Sequence, residues 1–102
     1  MSVVVEKPYQ LKHALTVTFK PLGGPEREEV ITEVTLRRAT GKDLRLIDRL
    51  AGQPMALVLE AIATLSGLEL AIVERLDAED IGPLGELAMS RLEGGRPTGG
   101  TP

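Results

Sequence analysis

The chain has 102 residues, with 12 Lys and Arg against 15 Asp and Glu and a formal net charge of −3 at pH 7. It fits a single domain and has no general electrostatic pull toward nucleic acid or anionic lipid. There is no cysteine, which excludes disulfides, thiolate metal sites, iron–sulfur clusters and thiol catalysis.

One Phe (Phe19), one Tyr (Tyr9) and no Trp leave the core to Leu, Val, Ile and Ala. At the N-terminus, Val3, Val4 and Val5 are followed by charge and by the Lys7-Pro8 break. That run is too short for a signal peptide, and no later run approaches a membrane span, so a cytosolic chain is expected. Residues 1–12 are expected to be a flexible arm. Residues 13–92 are expected to form one α+β domain, in which an antiparallel hairpin packs on three to four short helices.

The hairpin is expected from two runs of period 2, at about 14–20 and 28–37. Leu11, Leu15, Val17 and Phe19 share one face of the first, with His13 on the same inward parity. Val30, Thr32, Val34 and Leu36 share a face of the second, with Ile31 out of phase. Between them, Lys20 to Arg27 hold two Pro and two Gly in eight residues, which is loop chemistry. At Thr40 the period becomes 3.6. Thr40-Gly41-Lys42-Asp43 resembles a capping box and opens a helix at about 41–51.

The next helix, 54–66, has Pro54 where a first turn tolerates a missing N–H and Gly67 where a helix ends. Met55, Val58, Leu59, Ile62 and Leu65 form its apolar stripe, with Glu60 and Thr64 opposite. A short helix at 69–76 follows. Asp77, Glu79 and Asp80 suit the positive end of another helix. Pro83 argues for a helix starting there, at 83–92, or for one kinked helix from Asp77. Residues 93–102, rich in Gly and Pro, are expected to be a flexible tail.

No catalytic, cofactor or metal constellation emerges. His13 is the lone histidine, has Lys12 beside it and lacks a Ser, Asp or metal-ligand spacing, so it is read as structural or surface. The acidic run Asp77, Glu79, Asp80 lacks the Gly and terminal Glu of a calcium loop and is read as a helix start. Gly23-Gly24 has no Lys-Ser/Thr after it and cradles no phosphate. Ala63, Gly67 and Val73 match the packing half of a helix-turn-helix. The second helix would offer Glu69, Leu70, Ala71, Ile72 and Glu74 to a groove, with Arg75 as its one cation, and carboxylates facing phosphate oppose binding. The spacing is read as a tight helix pair without nucleic-acid recognition.

What remains is partner binding. Leu57 lies about 200° from Met55 at 100° per residue, off the buried stripe and next to Thr64. Leu70 is similarly off the main face of its helix. With Ala56, Ala63 and Ala71 beside them, these residues are candidates for a shallow apolar groove that takes a partner helix. The alternative is that both leucines pack on the hairpin or on each other.

The ordered passages Leu36-Arg37 to Asp43-Leu44, Gly67-Leu68 and Leu76-Asp77-Ala78-Glu79-Asp80 resemble the tail assembly chaperones of Mu-like and related contractile-tailed phages and prophages. The resemblance covers about residues 15–92. It implies a non-enzymatic protein of the host bacterial cytoplasm, absent from the mature virion, that binds the tape measure protein and keeps it competent for tail tube assembly. Tube subunits are a further implied partner. The resemblance carries over no catalytic residues. A small structural or tail-completion interaction protein is the second reading, and a helix-turn-helix DNA-binding regulator the third.

Overall fold

A computed structural model describes residues 7–94. The first six residues of the expected arm and the expected tail from residue 95 lie outside the described residues. The element order is β1 (Tyr9–Phe19), β2 (Arg27–Val34), α1 (Arg45–Arg49), α2 (Pro54–Ser66), α3 (Leu70–Val73) and α4 (Ala78–Gly94). The fold is α+β: β1 and β2 pair as an antiparallel hairpin, and the helices follow as a block.

β1 starts at Tyr9, inside the stretch assigned to the arm, because of an irregularity that strict alternation does not reveal. Gln10 pairs with Glu33 and Leu15 with Ile31, so Leu11 to Ala14 stand opposite Thr32 alone. This bulge resets the parity of both strands. His13 leaves the inward face and is exposed, which corrects its expected parity and agrees with a surface histidine. On the second strand Ile31 and Val34 turn inward, as does Leu36 just beyond its end, while Val30 is 60% exposed. The inward face read from simple alternation therefore fails at Val30 and Thr32.

β2 ends at Val34, three residues earlier than expected, but the chain does not leave the fold there. Leu36 is buried, and the Arg37 N–H donates to the Leu65 carbonyl at 2.9 Å, satisfying one of the last carbonyls of α2. The helix expected at 41–51 is shorter. Successive i→i+3 bonds from Asp43, Leu44, Arg45 and Leu46 make a tight turn series, and α1 proper spans Arg45–Arg49. α3 is one turn, Leu70–Val73, rather than the expected 69–76.

α4 is one helix from Ala78 through Pro83 to Gly94, longer at both ends than the expected 83–92. It absorbs Glu93 and Gly94 from the expected tail. Asp77 caps it, with Oδ1 accepting the Glu79 N–H at 2.9 Å. Pro83 removes the bond to the Glu79 carbonyl. Because Glu79, Gly82 and Pro83 are all exposed, water can serve that carbonyl.

The core draws Val34 and Leu36 from the end of the hairpin, Ala61, Ile62 and Leu65 from α2, Val73 and Leu76 from around α3, and Leu84, Ala88 and Leu92 from α4. Each fully buried Leu or Ile contributes roughly 1.5–3 kcal/mol of apolar transfer. α2 and α4 approach closely at Gly85, where a Cβ would lie 2.7 Å from Val58 Cγ1. Glycine permits that contact without a shift of the Val58 side chain or of a helix.

Candidate partner-binding surface

The buried charged side chains among the described residues are Asp43 and Asp80. Both hold the chain's own elements together. The Asp80 carboxylate, fully enclosed, accepts the Lys12 N–H at 2.7 Å, the His13 N–H at 3.0 Å and the Tyr9 hydroxyl at 3.0 Å. The bulge in β1 turns those two N–H groups out of the ladder, and α4 supplies their acceptor. Burial pushes the Asp80 carboxyl up, but the three donors outweigh it and its pKa lies below the ordinary value. The Tyr9 hydroxyl is raised, by desolvation first and then by its bond to Asp80.

Asp43 makes the corresponding junction on the other side. Arg37 donates to it through both terminal nitrogens, at 2.7 and 3.1 Å, and the Thr40 N–H donates at 2.7 Å. The Thr40 hydroxyl adds a bond at 3.2 Å. The reach of Asp43 back to the Thr40 N–H is the one expected of a capping box, whereas the Thr40 hydroxyl donates instead of accepting. The Arg37 guanidinium holds the Asp43 pKa down at about 2, against the cost of burial.

His13 Nε2 lies 2.8 Å from Glu79 Oε1 and 4.0 Å from Asp77 Oδ1. Its pKa is raised, first by the hydrogen bond to Glu79 and then by the charge of Asp77. The ligand atoms of these three side chains lie within 4.8 Å of one another, a spacing that a metal ion could use. All three are exposed, and their arrangement is accounted for by the helix start and an ion-paired hydrogen bond.

The apolar surface of α2 presents differently. Gln53 precedes Pro54 at the first helical position, and Gly67, at φ 79°, closes the helix with its N–H on the Ala63 carbonyl. The stripe Met55, Val58, Leu59, Ile62, Leu65 is graded along the axis. Ile62 and Leu65 are fully buried, Val58 and Leu59 are half-buried, and Met55 is 62% exposed. Ile62 is seven residues beyond Met55, roughly 10 Å along a helix. The core ends before the helix does.

The sequence-derived candidates occupy three environments. Ala56, Leu57, Thr64 and Leu70 are half-buried, with Leu57 and Leu70 packed against the core cluster. Ala71 is exposed, and Ala63, 8% exposed, belongs to the core. Leu57 is near the start of α2 and α3 follows its end, so these residues spread along the helix. By azimuth Met55 belongs to the buried stripe, yet it is exposed. Periodicity gives the face of a residue but not where along the axis the covering layer stops.

The two buried aspartates and the graded helix describe a small α+β module that devotes its enclosed polar groups to its own assembly and leaves apolar helix surface uncovered. A family model described as phage tail assembly chaperone proteins, E, or 41 or 14 matches residues 13–92. The chain belongs to this phage tail assembly chaperone family. No curated protein and no solved structure matches it. Among the described residues, no helix is long and apolar enough to cross a membrane.

Proposed function

We propose that the chain binds the tape measure protein of its phage and keeps it competent for tail tube assembly, acting by binding and not by catalysis. The observation that carries this reading is the first turn of α2, where Met55 is exposed and Ala56 and Leu57, on other faces of the turn, are only half-buried, so apolar side-chain area remains in water. A partner helix laid there would bury apolar area that the chain leaves in water. Leu70 and Ala71 extend the surface toward α3. The setting is the host bacterial cytoplasm before the virion is complete, with tail tube subunits as a second partner.

Co-expression of the chain with the tape measure protein of the same phage tests this. The chain should raise the soluble fraction of the tape measure protein and co-purify with it, and Leu57→Asp should fold and fail to capture it. An unchanged soluble fraction would contradict the chaperone reading, and a folded Leu57→Asp that still captures would remove Leu57 from the surface. The chain should also be missing from purified virions. Its presence there would favour a structural tail component.

A further inference from the structure

The sheet has two strands, in the order β1-β2, so each strand has one edge outside the ladder. The helical block already engages β1: Asp80 takes the Lys12 and His13 N–H groups, and Arg75 donates to the Thr16 carbonyl at 3.1 Å. Nothing comparable reaches β2. Among the described residues, no group outside the hairpin hydrogen-bonds to the backbone of Arg27–Val34, so the N–H and C=O groups on its outer side face water. The strand is 8 residues long, roughly 27 Å at about 3.4 Å per residue. It holds no Pro or Lys, and the bulge that would twist an edge out of use lies on β1 instead.

The side chains of β2 decide what such an edge can take. When two copies pair antiparallel about a two-fold axis perpendicular to the sheet, opposite residues share a face, so the axis passes through a residue position and not between two. Centred on Val30, the pairing sets Val30 against Val30 of the second copy, Glu29 against Ile31, Glu28 against Thr32 and Arg27 against Glu33. Arg27 and Glu33 then meet on both sides of the axis, and no like charges stand opposite. Moving the centre by one residue loses this. At Glu29 two carboxylates meet on the axis, and at Ile31 each Glu29 faces a Glu33. Val30, now 60% exposed, packs on its counterpart at the centre. Arg27 reaches Glu29 with one terminal nitrogen at 3.2 Å, and Glu33 takes Gln10 on one oxygen at 2.7 Å, which leaves further donors and an acceptor oxygen for the pair.

We propose that the chain forms a symmetric dimer through the outer edge of β2, giving one four-stranded antiparallel sheet with Val30 on the axis. The occupant is a second copy and not a foreign strand, because charge and symmetry together select one register and the glutamates exclude its neighbours. The dimer does not rest on the tape measure reading, since it uses the hairpin and not α2.

Sedimentation equilibrium of the full-length chain tests this, and a concentration-dependent dimer is expected. Arg27→Glu and Glu33→Arg, both at exposed positions, should each keep the native circular dichroism and weaken dimerisation about tenfold or more, because each sets like charges opposite on both sides of the axis. Mixing the two variants should restore a dimer, since every cross-pair then joins opposite charges again. A native chain that stays monomeric at millimolar concentration would overturn the dimer and leave the edge to a strand of another protein. Single variants that dimerise as well as the native chain would overturn the β2 edge, and variants that weaken but do not rescue each other would overturn the register. If either charge variant fails to fold, a cysteine pair still decides. In a chain otherwise free of cysteine, oxidised Val30→Cys should give a covalent dimer and Leu22→Cys, in the hairpin loop, should not. Equal cross-linking of the two would overturn the axis at Val30.

Discussion

The two ends of α2 share one apolar stripe and have opposite fates. In the second half, Ile62 and Leu65 are enclosed by the end of the hairpin, by Val73 and Leu76 and by the inner face of α4. In the first half, the stripe continues to Met55 with nothing of the described chain covering it fully. A uniform amphipathic helix would need only one explanation, its core. The gradient leaves the first turn exposed at Met55, while Val58, one turn further on, already packs against Gly85 of α4.

The sharpest contrast compares truncations at the two ends. Ile62→Ala should destabilise the protein by about 3–4 kcal/mol, from lost transfer energy and a cavity. Met55→Ala should stay within about 0.5 kcal/mol, as for a surface site. Urea unfolding of both variants measures the difference, and similar costs would break the contrast between the two ends.

The hairpin end that covers the second half is pinned through Asp80, so Asp80→Ala should loosen that cover. With two strand N–H groups and the Tyr9 hydroxyl left without their acceptor, a loss of about 3 kcal/mol is expected. Amide hydrogen exchange should rise first at Lys12 and His13. Protection unchanged at those two residues would show that the bulge is held by something else.

Acidification probes both junctions together. The folded pKa values of Asp43 and Asp80 lie below the unfolded value of 3.8. Their contribution is thus full above pH 4 and lost as the pH falls through the folded values. For Asp43, held at about 2, this amounts to on the order of 2 kcal/mol, disappearing between about pH 4 and 2. Asp43→Asn should flatten that part of the stability profile. His13 acts with the opposite sign: its raised pKa adds stability below the unfolded value of 6.5 that is lost as the pH rises through the folded one. Its exposure keeps that effect the smallest of these.

The passages that carried the family resemblance are largely the junctions of the fold. Leu36-Arg37 and Asp43-Leu44 bracket the Arg37–Asp43 clamp, Gly67 is the left-handed stop of α2, and Asp80 is the anchor of β1. These were legible because capping and backbone conformation act within a few residues of sequence. The bulge at Leu11 to Ala14 was not legible, since it depends on an acceptor sixty-odd residues away, on α4. At Pro83 the sequence leaves a break and a kinked helix both open because the rule for proline concerns the lost bond, and the continuous helix follows from a cost that solvent limits on that face. Of the candidate surface, the azimuth of Leu57 was readable, but the burial of Ala63 and the exposure of Met55 depend on where neighbouring helices end.

Met55→Asp tests the central claim most directly, measured in two ways on one purified variant. The account predicts an unfolding midpoint close to that of the native chain and capture of the co-expressed tape measure protein reduced by tenfold or more, in line with placing a charge in an apolar interface. A variant that unfolds, or one that folds and captures as well as the native chain, would contradict the proposal that the exposed first turn of α2 is part of the partner surface.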